Sequence, residues 1–201
     1  MDGIVSHALK LVLLAAGGSR RMRGGDKMLE WVDGEPMIRR QARALLQADL
    51  GPVAVTLPPD RPARAEALND LPLSLLTIPD AADGMSASLR AAAQWADGCA
   101  LLVTPADMPE LTSDNFRTVA ATFDGTTPVR ATAEDGTPGH PVIFPANLLK
   151  QFAALTGDEG AKSILKSQKP RLVALPGQCA TTDLDTPEAW AAWRQSRASL
   201  F

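Results

Sequence analysis

The amino-acid sequence predicts an α/β protein with three layers, α/β/α, built around a mostly parallel central sheet. Short apolar runs alternate along the chain with amphipathic patterns of helical period, which is typical of parallel sheets covered by helices on both faces. The chain has 201 residues, of which 45% are hydrophobic and 21% are charged. These values suit a globular protein with one core, so we expect residues 1–201 to form a single domain.

The first half of the chain contains the most regular elements. A continuous apolar run at 10–16 stops at two glycines and predicts a fully buried strand. Pro36 is expected to open a helix, and Asp60 to cap a short helix over 61–69. Further strands are predicted at 53–57, 73–78 and 99–104. Helices are predicted at about 85–95 and again after residue 109, the latter with Phe116, Val119, Ala120 and Phe123 on one face.

The second half of the chain is less regular. Strands are predicted at 129–133, 141–144 and 171–175, with a turn-rich segment at 134–139 and helices at 146–155 and 161–167. Thr186 is expected to cap a last helix that has Pro187 at its first position. Trp190 and Trp193 on that helix are expected to pack against the rest of the protein.

Composition and charge argue against several classes of protein. The net charge of −3 disfavours a nucleic-acid binder. Two separated cysteines and two histidines are too few for a zinc site, so Cys99 and Cys179 are expected to be free thiols in a reducing compartment. The apolar run at 11–16 is too short to span a membrane, and the first eight residues lack a signal-peptide core. We therefore expect a cytoplasmic protein that contacts no membrane.

A glycine-rich, cationic loop follows the first predicted strand. Glycines let backbone N–H groups approach phosphate oxygens, arginine and lysine add positive charge, and serine adds a hydroxyl donor. The candidate residues are Gly17, Gly18, Ser19, Arg20, Arg21 and Lys27. The spacing is neither that of a P-loop nor that of a dinucleotide-binding loop, so an ordinary glycine turn with solvated arginines is the alternative interpretation.

Three aspartates are candidates for a metal site. Asp107 lies between two prolines directly after the strand predicted at 99–104, and Asp183 and Asp185 are two residues apart, so on an extended segment they point the same way. Mg²⁺ prefers one or two carboxylates together with phosphate oxygens and water. Because ligands of parallel sheets bind where the strands end, the glycine loop and Asp107 should share one edge. Capping of turns and helices is the alternative role.

Two further segments are candidate ligand contacts. His140 stands between a glycine and a proline, where a structural role is the alternative. Residues 157–162 form a second glycine loop before a predicted helix, and the start of a helix can receive a phosphate. A plain connecting loop is the alternative for this segment.

Five segments, in this order along the chain, resemble a known family. They are residues 14–17 (Leu-Ala-Ala-Gly) with Arg21, Met22 and Lys27, residues 107–109 (Asp-Met-Pro), 139–142 (Gly-His-Pro-Val), 157–161 (Gly-Asp-Glu-Gly-Ala) and 183–188 (Asp-Leu-Asp-Thr-Pro-Glu). Over about residues 11–190 the chain is similar to the MobA-like nucleotidyltransferases, and most similar among them to the molybdenum cofactor cytidylyltransferases. The resemblance implies their three-layer, Rossmann-like nucleotidyltransferase fold.

The resemblance also implies a role for each segment. The residues implied as catalytic are Arg21, Lys27 and Asp107. Those implied near the nucleotide are Ala15, Ala16, Gly17, Gly18, Ser19, Arg20, Gly84, Ser86 and Ser88. Those implied on the acceptor side are His140, Asp158 and Lys162. The implied ligands of Mg²⁺ or Mn²⁺ are Asp107 with Asp183 or Asp185. The chain departs from the family pattern at Arg23, where glycine is frequent, and at Lys162, where arginine is common.

The reaction implied by the resemblance is transfer of CMP from MgCTP to the terminal phosphate of molybdopterin, with pyrophosphate as the leaving group. A molybdenum hydroxylase is the implied protein partner. The Ala-Ala-Gly form of the loop favours the cytidylyl branch of the family. The alternatives are a guanylyltransferase, a transferase acting on a sugar phosphate or another phosphorylated molecule, and a non-catalytic carrier of the cofactor. The glycine spacing disfavours a dinucleotide binder.

Overall fold

The computed structural model describes residues 8–157 and 160–198 of the chain. Its strands are β1 (Leu9–Leu14), β2 (Trp31–Val32), β3 (Glu35–Pro36), β4 (Val53–Leu57), β5 (Ser74–Thr77), β6 (Ala100–Pro105), β7 (Val129–Thr132), β8 (Pro138–Phe144) and β9 (Arg171–Ala174). Its helices are α1 (Met37–Ala48), α2 (Pro62–Glu66), α3 (Met85–Ala96), α4 (Ser113–Ala120), α5 (Lys162–Gln168) and α6 (Pro187–Ala198). Segments of 3₁₀ helix lie at Arg20–Met22, Lys27–Leu29, Ala81–Asp83 and Ala146–Ala154.

Seven strands form one sheet in the order β5-β4-β1-β6-β8-β7-β9. The pairs β4–β5, β1–β4, β1–β6 and β7–β9 are parallel, whereas β8 runs antiparallel to both of its neighbours. The prediction of a mostly parallel central sheet is therefore confirmed. Strands β2 and β3 pair separately as a small hairpin. The sequence did not predict this hairpin, because two residues in each strand are too few to carry a periodic pattern.

The central sheet is covered on both faces. Leu13 of β1 packs in a core cluster with Ile38 of α1, and the preceding residue, Val12, packs in a separate cluster with Leu89 of α3. Side chains alternate between the faces of a strand, so a strand covered on both sides needs apolar residues at every position. Each fully buried side chain of this kind contributes about 1.5–3 kcal/mol. The continuous apolar run that predicts β1 thus reflects helices on both faces.

Helix α6 packs against the base of the glycine loop. The Thr186 hydroxyl accepts a 3.2 Å hydrogen bond from the backbone N–H of Ala189, which confirms the predicted cap. Trp190 and Trp193 are buried and pack edge to face, in a cluster that includes Met22 of the loop. The predicted packing role of both tryptophans is confirmed.

Two element boundaries differ from the predictions. The helix expected over 61–69 is the short α2; its N-cap is Arg61, which makes no side-chain capping bond, so the expected capping role of Asp60 is wrong. Strand β8 begins three residues earlier than predicted, because Pro138 pairs with Thr132 of β7 across a tight turn. The glycine and histidine of the Gly-His-Pro motif therefore lie within a strand.

The helix predicted over 146–155 is a 3₁₀ segment. Its apolar side chains still face the core, since Leu148, Leu149 and Phe152 are buried. The apolar pattern therefore indicated burial correctly, although it did not distinguish the two helix types.

Both cysteines are free thiols, with Cys179 buried and Cys99 partly buried. Within the described ranges, no helix has the length and hydrophobicity needed to cross a membrane.

Candidate functional site

The ammonium group of Lys27 lies between two carboxylates. Its Nζ atom is 2.5 Å from Oδ2 of Asp107 and 2.6 Å from Oδ1 of Asp185. Arg21 approaches the other oxygen of Asp185, with Nη2 2.5 Å from Oδ2. The structure therefore brings the glycine loop, Asp107 and the acidic segment at 183–188 to one point.

Backbone pairing explains why these segments meet. Strand β6 runs parallel to β1 with Pro105 opposite Leu14, so the chain leaves both strands at the same edge of the sheet. The backbone N–H of Leu184 then donates a 3.1 Å hydrogen bond to the carbonyl of Asp107, which draws the acidic segment alongside. The predicted common edge for the glycine loop and Asp107 is thus present.

Burial and neighbouring charges shift the pKa values of the residues in this cluster in different directions. Burial alone would lower the pKa of Lys27, but the carboxylates of Asp107 and Asp185 outweigh burial and raise that pKa. Burial likewise opposes ionisation of Asp185, yet Lys27 and Arg21 hold its pKa below the usual range. Burial and the negative charges of Asp185 and Asp107 raise the pKa of Asp183. A further cation near Asp183 would therefore be favoured.

A buried arginine braces the glycine loop. The fully buried side chain of Arg64, on α2, donates hydrogen bonds of 2.8 Å from Nε and from Nη2 to the two carboxylate oxygens of Asp26. Its Nη1 donates to the carbonyls of Ala15 at 2.6 Å and Gly17 at 2.8 Å. The Ser19 hydroxyl accepts a 3.1 Å bond from Nη2. We refer to these contacts of Arg64 with Asp26 and the loop as the Arg64 brace.

Asp26 connects the Arg64 brace to the catalytic candidate Lys27. Its carboxylate accepts a 3.0 Å hydrogen bond from the backbone N–H of Met28 and caps the 3₁₀ turn on which Lys27 lies. Arg64 is not among the residues predicted from the sequence. A signal was available, because Arg64 precedes Leu68 by four residues and Leu68 is buried, which places an arginine on the apolar side of the segment.

The brace changes the interpretation of two loop residues. The Ser19 hydroxyl also donates to Oδ1 of Asp26 at 3.1 Å, so the group predicted to contact phosphate is engaged within the loop. Gly17 does not have the positive φ of a glycine-requiring turn. A Cβ at Gly17 would meet nothing within 4 Å, so this glycine leaves an open surface beside the loop.

Two cavities meet at the Lys27 cluster. One, of about 510 Å³, runs along the glycine loop and the start of α3, and the other, of about 560 Å³, is lined by parts of β6, β7, β8 and α5. Both are lined by Arg21, Lys27, Asp107 and Asp185. Predicted site residues that line the first cavity alone are Ala16, Gly17, Gly18, Ser19, Arg20, Gly84 and Ser88. Those that line the second alone are His140, Lys162 and Asp183.

Two predicted nucleotide contacts lie behind the cavity walls. Ala15 is fully buried, and its backbone N–H donates a 3.1 Å hydrogen bond to the hydroxyl of Thr56. Ser86 is also fully buried and accepts a 3.3 Å bond from Arg90. Both residues support the walls from within. Asp158, a predicted acceptor contact, lies outside the described residues.

His140 reaches the second cavity as a neutral side chain. Burial, reinforced by the positive charge of Arg130, lowers its pKa from 6.5 to about 4. The imidazole hydrogen-bonds the backbone of Val103, an interaction that raises the pKa and therefore uses a ring N–H as donor. Nδ1 is buried and has no hydrogen-bond partner among the described residues. This nitrogen is therefore able to accept a hydrogen bond from a ligand.

Strand β8 makes close backbone contact with Ala180, which lies just before the acidic segment at 183–188. The N–H of His140 donates a 2.9 Å hydrogen bond to the carbonyl of Ala180. A Cβ added at Gly139 would lie 1.9 Å from the same carbonyl oxygen. Glycine is required at this position because any side chain would push the two segments apart.

The carboxylates suit a hard divalent cation. Oδ1 of Asp107 is buried and lacks a hydrogen-bond partner within residues 8–157 and 160–198. The same residues contain no preassembled group of three His, Cys, Asp or Glu side chains for a metal. Mg²⁺ commonly takes one or two carboxylates and completes its coordination with phosphate oxygens and water. Asp107 with one neighbouring aspartate fits that pattern if a substrate supplies the phosphates.

Comparison with known proteins identifies relatives of the chain. The family model for the MobA-like NTP transferase domain matches residues 11–172. The chain is 26% identical over 182 residues to the molybdenum cofactor cytidylyltransferase of Escherichia coli (strain K12), a match that covers 90% of this chain and 93% of that protein.

Solved structures share the fold. Rv0371c from Mycobacterium tuberculosis H37Rv superposes with a TM-score of 0.83 at 23% identity, covering 94% of this chain and 99% of that one. A structure of Rv0371c in complex with manganese gives a TM-score of 0.79. A nucleotidyl transferase from Methanothermobacter thermautotroptrophicus, Mth528, gives 0.79 at 20% identity, covering 96% and 99% of the two chains. The predicted nucleotidyltransferase fold is therefore confirmed.

Proposed function

The chain belongs to the MobA-like NTP transferase domain family and is a nucleotidyltransferase, and we propose that it transfers CMP from MgCTP to the terminal phosphate of molybdopterin or the molybdenum cofactor. The observation that carries this proposal is the junction of Lys27, Asp107 and Asp185, where two cavities meet. Transfer between two substrates requires that both reach one point. The similarity to the cytidylyltransferase of Escherichia coli favours CTP and a molybdopterin-type acceptor.

We assign the cavity along the glycine loop to CTP. The open surface beside Gly17 leaves room for phosphate oxygens close to the backbone. Arg20 and Arg21 line this cavity and are exposed, so a triphosphate can reach both guanidinium groups, of which that of Arg21 also pairs with Asp185. The N-terminus of α3, which begins after Gly84, adds backbone N–H groups and a favourable dipole for an anion.

Asp107, with Asp183 or Asp185, would hold Mg²⁺ or Mn²⁺ beside the triphosphate. The ion would neutralise charge on the phosphate oxygens. Three features support this assignment: the buried, unpartnered oxygen of Asp107, the raised pKa of Asp183, and the two carboxylates already gathered around the ammonium of Lys27.

The acceptor would enter through the second cavity and present its phosphate to CTP. A bond forms between an acceptor phosphate oxygen and the α-phosphorus, while the bond from the α-phosphorus to the bridging oxygen breaks and pyrophosphate leaves with the electron pair. A phosphate monoester is already ionised near pH 7, so no strong general base is required. Lys27 and Arg21 would stabilise the negative charge that moves towards the pyrophosphate.

Comparison of four nucleotides tests the proposal. The protein is incubated under anaerobic conditions with molybdopterin and MgCTP, MgGTP, MgATP or MgUTP, and pyrophosphate release is measured. We expect release to be at least about tenfold faster with CTP and to depend on the acceptor. Preference for GTP would identify a guanylyltransferase instead. Release that requires a sugar phosphate would identify a different acceptor, and tight molybdopterin binding without any release would identify a carrier.

We also propose that residues 1–201 act as one domain in the cytoplasm and deliver the product to a molybdenum hydroxylase, without contact to nucleic acid or membrane. The net charge of −3 supports the last point, since nucleic acids and anionic lipids attract basic proteins. Activation of an apo-hydroxylase by the loaded protein, compared with activation by the free product, tests delivery. Equal activation by both would argue against a direct contact.

A further inference from the structure

Arg130 stands beside three valines in a row that crosses the sheet. Arg130 of β7 is opposite Val142 of β8, which is opposite Val103 of β6, which in turn is opposite Val12 of β1. Side chains of directly opposed residues project from the same face of a sheet. All three valines are buried. A guanidinium therefore occupies a place where packing alone would favour an apolar side chain.

The guanidinium of Arg130 is fixed by backbone carbonyls. Nε donates a 3.1 Å hydrogen bond to the carbonyl of Gly139, and Nη2 donates a 3.3 Å bond to that of Pro138. Within the described part of the chain, Nη1 makes no hydrogen bond and no carboxylate forms an ion pair with this side chain. Partial burial lowers the pKa of Arg130, because no counter-ion offsets the loss of solvent.

Other arginines that are removed from solvent have an acidic partner. Arg64 binds Asp26, and the partly buried Arg90 binds Asp80 at 3.0 Å. A desolvated charge without a counter-ion destabilises the folded state. The position of Arg130 is therefore explained most directly by a ligand that supplies an electronegative group.

His140 offers a hydrogen-bond acceptor in the same cavity, whereas Arg130 offers donors. Arg130 binds the carbonyl of the adjacent residue, and its charge is one of the causes that lower the pKa of His140, so the two side chains are neighbours. The neutral imidazole lines the same cavity, and its buried Nδ1 has no hydrogen-bond partner among the described residues. Arg130 thus supplies donors, and His140 supplies an acceptor.

Part of the wall of this cavity is apolar. Leu89, Val142, Phe144 and Leu165 line the same cavity. A cavity with apolar walls and a few oriented polar groups suits a heterocyclic ligand. A heterocycle that presents a carbonyl next to an N–H, which is a lactam edge, would match the donor and the acceptor at once.

We infer that Arg130 and His140 recognise the lactam edge of the acceptor's heterocycle, with Arg130 donating to the carbonyl and Nδ1 of His140 accepting from the N–H. The inference rests on the proposed function for the identity of the acceptor, because the pterin ring of molybdopterin carries such an edge. The two residues are binding residues for the ring of the acceptor. They determine which acceptor is used and take no part in bond exchange.

A pair of pteridines tests this inference without turnover. Pterin carries the lactam edge, whereas 2,4-diaminopteridine has an amino group in place of the carbonyl and lacks the neighbouring N–H. Fluorescence titration at neutral pH should give at least about tenfold tighter binding of pterin to the wild-type protein. Arg130→Gln should reduce that preference about tenfold, and Arg130→Lys should restore part of it, since lysine keeps the charge without the fork.

Arg171→Gln is the matched control. Arg171 lies on the neighbouring strand β9 and pairs with Asp124 at the surface, outside the cavity. The control should keep the wild-type preference for pterin. Thermal denaturation of each variant confirms that the titrated protein is folded.

The outcomes separate this inference from the proposed function. No pterin binding by the wild type, equal affinity for both pteridines, or an unchanged preference in Arg130→Gln would overturn the inference, even if CMP transfer to molybdopterin is observed. Conversely, a pterin preference that depends on Arg130 would stand even if the four-nucleotide assay detected no transfer. Where transfer is observed, Arg130→Gln should raise the KM for molybdopterin about tenfold while leaving kcat and the KM for CTP unchanged.

Discussion

The two N–H groups that Arg64 directs at Asp26 form a fork, with each of the 2.8 Å hydrogen bonds reaching a different carboxylate oxygen. The pair is buried beneath the loop proposed to bind the triphosphate. The burial of Arg64 and the bidentate geometry make this a strong ion pair. Although burial opposes ionisation of Asp26, the guanidinium of Arg64 holds its pKa below the usual range.

Removal of the Arg64 brace should destabilise the protein and weaken nucleotide binding. Arg64→Ala removes the bidentate ion-pair partner of Asp26 and leaves its carboxylate with hydrogen bonds from Ser19 and Met28, and we expect the free energy of unfolding to fall by about 3–5 kcal/mol. Arg61→Ala is the control, because Arg61 reaches the same carboxylate only at 3.7 Å and is more exposed; its effect should stay below about 1 kcal/mol. Urea denaturation measures the stability of both variants, and titration with MgCTP measures their nucleotide binding. Equal effects of the two substitutions would contradict the brace.

Loss of the Lys27 ammonium should slow turnover. Lys27→Ala removes the cation between Asp107 and Asp185, and we expect kcat for pyrophosphate release to fall about 100-fold. Arg23→Ala serves as a control from the same loop, since Arg23 pairs with Glu188 at the surface. Steady-state rates with saturating MgCTP and acceptor provide the comparison. A wild-type rate in Lys27→Ala would remove this residue from the proposed chemistry.

Neutralisation of Asp107 should abolish transfer while preserving the fold. Asp107→Asn keeps the shape of the side chain but removes the charge needed for a divalent cation, and we expect at least about a 100-fold loss of pyrophosphate release. Asp114→Asn changes an exposed aspartate on α4 and should leave the rate unaltered. Circular dichroism establishes that both variants are folded. Activity close to wild type in Asp107→Asn would refute the metal-binding role.

Protonation of His140 should destabilise the protein as the pH falls. The pKa of His140 is about 4 in the folded state against 6.5 for the free side chain, so between these values the unfolded chain binds a proton that the folded chain does not. The free energy of unfolding should therefore decrease through this window, by about 3 kcal/mol. His140→Asn removes the effect, so the stability difference between wild type and variant should shift by this amount in favour of the variant. Curves of unfolding free energy against pH that run parallel for the wild type and His140→Asn would contradict this prediction.

Substitutions of Gly139 and Gly17 should affect different properties, stability for Gly139 and MgCTP binding for Gly17. Gly139→Ala places a Cβ 1.9 Å from the carbonyl oxygen of Ala180, and we expect a loss of at least about 2 kcal/mol in the free energy of unfolding. Gly17→Ala meets no atom within 4 Å, so stability should change by less than about 0.5 kcal/mol. The methyl group at position 17 should instead raise the KM for MgCTP, because it occupies space proposed for phosphate. A destabilised Gly17→Ala with unchanged KM would contradict this assignment.

Local patterns predicted the parts of the site that follow the sheet directly. The apolar run of β1 and the strand before Asp107 could be located from the sequence, and the rule that ligands bind where parallel strands end placed the loop and Asp107 together. The pairing of Lys27 with Asp185 spans 158 residues and has no local signature. Its proximity depends on the backbone contact between Leu184 and Asp107, which forms only in the folded chain.

Arg64 and Arg130, which local patterns do not reveal, illustrate a different limit. Arg64 and Arg130 both occupy positions where the fold would otherwise place apolar side chains, and each departs from a pattern only once the element around it is known. For Arg64 that element is a helix of five residues, too short for a reliable period. For Arg130 it is a strand of four residues whose partners are set by long-range pairing.

The contact between Gly139 and Ala180 has a consequence for engineering this enzyme. The Gly-His-Pro strand lies on the acceptor cavity, and the chain that passes Ala180 leads within a few residues to Asp183 and Asp185. Because the two backbones touch with no space for a side chain, a transplanted strand with any residue other than glycine at position 139 would displace the aspartates unless the facing turn were transplanted with it. Chimaeras intended to change the acceptor should therefore exchange residues 138–144 and 178–185 as a single unit.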